Sequence, residues 1–166
     1  MNKILADMHT HTIASGHAYA TLTEMCKEAA NKGLEIYGIT EHSSGIPGTC
    51  ADIYFQNLRV VPRDLFGLDL RLGAEINIID YNGTLDLDQK YIDRLDFVIA
   101  GIHSVCYKFG SKEENTAAII NAIKNPNVNI ISHPDDGRCP LDYEALVQAA
   151  KEYHVLLEIN NNALRD

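Results

Sequence analysis

Short apolar runs alternating with longer amphipathic stretches set the pattern of this chain. The runs are ILADM (4–8), EIYGIT (35–40), LRLGAEI (70–76), DFVIAGI (96–102), NVNIIS (127–132) and VLLEIN (155–160). Each reads as a strand buried in a parallel sheet. The stretches between them carry helix signals. TLTEMCKEAANKG has Thr21 and Glu24 at capping-box spacing and Gly33 where a helix would end. KEENTAAIINAIKN stops before Pro126, and DYEALVQAAKEYH begins at a capping residue, Asp142. From Ser43 to Val61 the period is lost, which predicts a long loop with one short helix. Strand then helix, repeated, predicts an α/β fold with a parallel sheet or barrel and flanking helices.

Length and composition narrow the class. With 166 residues, residues 1–166 are expected to form one domain with a real core. No apolar run approaches the roughly 20 residues of a membrane span, so neither a membrane nor a lipid surface is an expected partner. A polar, histidine-bearing stretch begins by residue 7 and leaves no room for a secretory h-region, so the cytoplasm is the expected location. Cys26, Cys50, Cys106 and Cys139 form no CxxC pair and are expected to be reduced thiols. The formal charge of −9 opposes association with nucleic acid.

The histidines change the picture most. His9, His11 and His17 follow one another closely after the first run. Successive strand residues point to opposite faces, so His9 and His11 share a face about 6–7 Å apart and can reach one metal ion. In parallel α/β folds chemistry gathers at the carboxyl ends of the strands. His9 and His11 end the first run, His42 follows the second, Glu75 ends the third, His103 the fourth and His133 the fifth. His17 lies in the loop above the same rim. His154 precedes the sixth run, belongs at the opposite end and is read as structural. Six histidines and a glutamate exceed what one four-coordinate ion needs, so more than one divalent ion is expected, with Glu75 able to bridge two.

The motifs DMHTHT, ITEH, GAEIN, AGIHS and ISHPD, arriving in that order, resemble the PHP (polymerase and histidinol phosphatase) superfamily. ASGHAYATL and LEINNNAL are similar to its YcdX-type branch of metal-dependent phosphatases. The resemblance implies a distorted (βα)7 barrel holding up to three divalent ions, zinc first and manganese or iron as options, that hydrolyses small phosphate esters. It assigns His9 and His11 to a first ion, Glu75 as a bridge, His103 and His133 to a second, and His17 and His42 to a third. Glu75, His103 and His133 would then flank a metal-activated hydroxide attacking phosphorus in line. The family's closing strand with its Asp-x-His motif has no counterpart before Asp166. A C-terminally truncated PHP domain with about six strands is therefore expected, with a second copy or a complementing chain filling the gap.

Several residues keep two readings. Asp7 either fixes an imidazole tautomer or is a plain strand-end carboxylate. Asn160 and Asn161 face substrate or satisfy loop backbone, and Arg138 binds phosphate or stands in solvent. Cys106 and Cys139 read as ordinary loop thiols. Three rival functions stay open: a histidinol-phosphate phosphatase, a PHP-type nuclease, and a catalytically impaired metal-binding fragment.

Overall fold

The computed structural model describes residues 4–160. Six strands, β1 (Ala6–Asp7), β2 (Ile36–His42), β3 (Asp69–Asn77), β4 (Phe97–Gly101), β5 (Ile130–Ile131) and β6 (Leu156–Leu157), pair in chain order. Every pairing is parallel. Each strand thus lies beside its successor, the winding that a barrel uses. Among the described residues β1 pairs only with β2 and β6 only with β5, so the barrel stays open between them.

The long central strands β2 and β3 are buried over most of their length, and their interior positions are largely apolar. Ile39, Leu70, Leu72 and Ile76 have no exposed surface. Over them lie α1 (Leu22–Asn31), α2 (Ile53–Asn57), α3 (Gln89–Ile92), α4 (Lys112–Ile123) and α5 (Tyr143–Tyr153). α1 and α4 each begin with a complete capping box, Thr21 with Glu24 and Ser111 with Glu114. Asp142 caps α5 by accepting from the Ala145 N–H. The helices turn apolar residues inward, such as Cys26 and Ala29 of α1, Phe55 of α2 and Leu146 of α5.

The predicted elements are present, with informative differences. β1, β5 and β6 shrink to two residues each, because side chains take over where backbone pairing stops. Beyond β1, the Thr10 N–H donates to Thr40 Oγ1 at 3.2 Å and the Thr40 N–H to the Thr10 carbonyl at 2.9 Å. The chain therefore runs on beside β2 and carries His9 and His11 with it. The loop from Ser43 to Val61 holds α2 and a short turn at Leu58–Val60. Neither α3 nor the antiparallel bridge between Ile78 and Leu85 is predicted, since a four-residue helix is too short to show a period. His154 closes α5 in the left-handed region at φ 58, a structural role.

Gly38 fixes how closely β1 approaches β2. A Cβ there would lie 2.6 Å from the Met8 carbonyl oxygen and 2.8 Å from the Met8 Cα, both backbone atoms that cannot swing aside. Gly38→Ala should cost about 1–3 kcal/mol as an overpacked contact and displace the adjoining His9. Thermal unfolding and zinc titration of this variant check both effects, and an unchanged midpoint with unchanged zinc affinity contradicts the assignment.

Candidate metal centre

The carboxyl ends of the strands converge on Glu75, which lies in β3 with only 1% of its side chain exposed. Parallel register sets His42 of β2 directly beside it. His9 Nε2 stands 3.1 Å, His11 Nε2 3.3 Å and His42 Nδ1 3.0 Å from Glu75 Oε2. His103 Nε2 and His133 Nε2 stand 3.2 and 3.0 Å from Oε1. The five rings form a circle, with centroids 4.4 Å apart between His11 and His42 and 6.1 Å apart between His9 and His133. His17 lies outside this circle, exposed, 4.9 Å from the rings of both His11 and His42. All seven residues read from the sequence meet at one place.

What lies behind the rings decides what faces Glu75. His9 Nδ1 meets Glu158 Oε1 at 3.0 Å, and the other Glu158 oxygen accepts from the His133 N–H at 2.7 Å. That second bond holds His133 at φ 30, a strained backbone for a residue with a side chain, and presents its ring to Glu75. His103 Nδ1 lies 2.7 Å from Asn77 Oδ1. The Asn77 amide is oriented because its Nδ2 donates to Asp86 Oδ2 at 2.7 Å and to Ser43 Oγ at 3.0 Å. His103 must therefore donate from Nδ1, which leaves the Nε2 lone pair pointing at a carboxylate. A lone pair aimed at a buried anion is repulsive unless a cation lies between them.

Burial would raise the Glu75 carboxyl, but His103, His11, His133 and His42 outweigh it and hold the group well below the ordinary carboxylate range. Burial would lower His9, yet Glu158 and Glu75 lift it to about 10. Burial lowers His42. Its Nδ1, near Glu75 but out of line for a hydrogen bond, is a buried nitrogen without a partner. Two donor atoms sharing one ion at about 2.0–2.2 Å, at angles between square and tetrahedral, lie about 2.9–3.4 Å apart. The observed nitrogen-to-oxygen separations, 3.0 to 3.3 Å, fall in that range. The residues fit divalent ions. Among the described residues, three groups bring their donor atoms within 4.8 Å of one another: His9, His11 and Glu75; His42, Glu75 and His103; and His11, His17 and His42. His11 and His42 each belong to two groups, a sharing that the family pattern does not imply.

The other candidates sort themselves. Asp7 does not hold an imidazole; its carboxylate accepts from the His9 backbone N–H at 3.4 Å, because β1 ends there and the ring turns to Glu158 instead. Arg138 is bound to Asp136 through Nε and NH2. Asn160 donates its backbone N–H to Asp135 Oδ2 at 2.9 Å and borders the site. Asn161 lies outside the described residues. All four cysteines are free, and burial pushes Cys139 up to about 11, so neither that thiol nor Cys106, also raised by burial, is poised as a nucleophile. Glu158, Asn77, Asp86, Ser15 and Glu41 are missed by reading the sequence. Glu158 alone had a signal, its place at the carboxyl end of the sixth run.

Metal and proton compete for His9. With its folded pKa lifted above the unfolded value, His9 stabilises the ion-free protein fully below about pH 6.5, and that contribution is lost as pH rises toward 10. Zinc uptake at neutral pH should release a proton from His9, and apparent affinity should climb with pH until about 10. Calorimetry in buffers of different ionisation enthalpy measures this, and zinc binding without proton release contradicts it.

Comparison with known proteins agrees with this geometry. Residues 7–163 match the PHP domain. The chain is 48% identical over 161 residues to a protein of Acetivibrio thermocellus named "Probable phosphatase", covering 97% of this chain and 67% of that protein. A protein of the same name from Caldicellulosiruptor saccharolyticus is 51% identical over 155 residues, covering 93% of this chain and 65% of that one. The chain thus spans about two thirds of the length of these relatives. In fold it resembles the histidinol phosphate phosphatase of Lactococcus lactis, crystallised with zinc, L-histidinol and phosphate, with a TM-score of 0.60 at 20% identity over 97% of this chain and 74% of that one. Match, motifs and rim geometry coincide, and the chain belongs to the PHP domain family.

Proposed function

We propose that this PHP domain carries the catalytic centre of a metal-dependent phosphatase acting on small phosphate monoesters. One observation carries the reading: the two oxygens of Glu75 face different imidazoles, His9, His11 and His42 at Oε2 and His103 and His133 at Oε1. A carboxylate so placed would hold an ion at each oxygen, one with His9 and His11 and one with His103 and His133. Divalent ions bound there, zinc above all, would supply positive charge to a phosphoryl group and lower the pKa of a bound water. In this reading His9 and His11 hold one ion, His103 and His133 a second across Glu75, and His17 with His42 a third. Glu75, His103 and His133 stand nearest the reacting phosphorus. Glu158 and Asn77 fix the rings so that their lone pairs face inward.

A cavity of about 610 Å³ opens beside His103 and His133, lined by Ile46, Ile102, Val105, Phe109 and Leu141. Its size suits the alcohol part of a small substrate. Asp135 lines it as well, and one of its carboxylate oxygens is buried without a hydrogen-bond partner. Buried, unactivated thiols favour direct attack by water over a covalent intermediate. The charge of −9 favours a small substrate over nucleic acid. No helix among the described residues is long and apolar enough to cross a membrane. We place the protein in the cytoplasm. Exposed Ile4 and Leu5 near β1, and Leu156 and Ile159 around β6, support a covering partner across the open side, a second copy or a complementing chain.

Zinc-loaded and manganese-loaded protein should hydrolyse phosphomonoesters and lose that activity to a chelator. Glu75→Gln should abolish hydrolysis and the binding of the two ions it would hold with His9, His11, His103 and His133. His154→Gly should leave both intact and raise the unfolding midpoint, because a left-handed conformation costs a residue with a Cβ about 1–2 kcal/mol. Retained activity in Glu75→Gln, or greater damage from His154→Gly, contradicts the reading. Preference for an oligonucleotide replaces it with the nuclease, and ion binding without hydrolysis with a metal-binding fragment.

A further inference from the structure

Glu41 is the one fully buried carboxylate besides Glu75 among the described residues, and it belongs to none of the three donor groups. It lies in β2 next to His42 and accepts from the Thr12 N–H at 3.2 and 3.1 Å, the Thr12 hydroxyl and the Ser15 hydroxyl, with the Tyr54 hydroxyl also close to it. Ser15 Oγ in turn has three partners. These are Glu41 Oε2, the His42 backbone N–H at 3.1 Å and His11 Nδ1 at 3.0 Å. A serine hydroxyl has one proton and two lone pairs. Glu41 Oε2 already accepts from the Thr12 N–H, which can only donate, so it meets Ser15 as an acceptor and the serine proton goes to it. The His42 N–H can only donate, so it takes one lone pair. The remaining lone pair faces His11 Nδ1, which must therefore carry a proton.

We infer that Glu41 is a positioning residue that acts through Ser15 to lock His11 in the tautomer whose Nε2 lone pair is free for an ion. His11 is worth locking because it belongs to two of the three donor groups. Without Ser15, the His11 proton would move to Nε2, where Glu75 Oε2 waits 3.3 Å away as an acceptor. His11 would then be closed to metal.

Replacing Glu41 with its amide gives a sharp sign test. Both Thr12 donors require the carbonyl end of a glutamine, which turns the amide nitrogen toward Ser15. That nitrogen then donates to Ser15 Oγ. The serine proton is driven onto His11 Nδ1, and the ring must carry its own proton on Nε2. Glu41→Gln therefore enforces the wrong tautomer, whereas Ser15→Ala only ceases to enforce the right one.

The inference rests on His11 being an ion ligand, and its first readout is independent of that. In zinc-free protein at mildly alkaline pH, nitrogen-15 NMR of the histidine rings should show His11 protonated at Nδ1 in the unaltered chain and at Nε2 in Glu41→Gln and Ser15→Ala. Zinc affinity, read by competition with a chelator, should fall about 10–100-fold in Glu41→Gln. It should fall less in Ser15→Ala, and the double variant should match Ser15→Ala, recovering part of what Glu41→Gln loses. An Nε2–H tautomer in the unaltered chain, an unchanged His11 tautomer in Glu41→Gln, or a double variant weaker than Glu41→Gln overturns the inference. Should Glu41→Gln not fold, Ser15→Ala decides: a tautomer unchanged from the parent overturns it. Correct tautomer shifts without any change in zinc affinity would uphold the hydrogen-bond relay and remove His11 from the ion-binding set.

Discussion

Five imidazoles crowd one buried carboxylate, and the direction of their protons governs everything built around them. Glu75 has almost no contact with water, yet it remains ionised because the rings outweigh the cost of burial. At least two of the rings have their proton spent on the far side. His103 gives it to Asn77, which Asp86 orients, and His11 gives it to Ser15, which Glu41 orients. Glu158 stands ready to take that of His9. The inward nitrogens are left as lone pairs aimed at an anion, which only a positive charge can reconcile. In the ion-free protein a proton on His9 supplies part of that charge; a divalent ion supplies more.

Parallel pairing makes the crowding possible. Each strand delivers its carboxyl end to the same rim, so residues remote in sequence arrive together without a long loop to order them. β2 and β3 set His42 beside Glu75 by register alone. Gly38 lets β1 lie close enough for His9 and His11 to reach the same carboxylate. At β5 the ladder is too short to do this work, and Glu158 instead holds the strained backbone of His133. Strain at that position is tolerable because a charged hydrogen-bond acceptor maintains it.

The strand and helix alternation was legible because buried parallel strands are largely apolar and helices announce their caps, as Thr21 and Asp142 do. The seven rim residues were legible because histidine and glutamate at strand ends have few structural uses. His154 could be set aside on the same ground, by its place at the amino end of β6. Glu41 and Asn77 were hidden, since a buried polar residue inside an apolar strand looks like any other interruption until its partner is known. Asp86 depends on the turn between Ile78 and Leu85, whose pairing no periodicity reveals. Asp7 shows the converse failure: it shares the pleat phase of His9 and His11, but the strand ends before that phase can carry it to an imidazole.

Anomalous diffraction from crystals grown with zinc tests the central claim most directly. Two zinc peaks should flank Glu75, one bonded to Oε2 beside His9 and His11 and the other to Oε1 beside His103 and His133. Zinc peaks none of which touches Glu75, or a single ion touching only one of its oxygens at full occupancy, would contradict the bridging carboxylate on which the account depends.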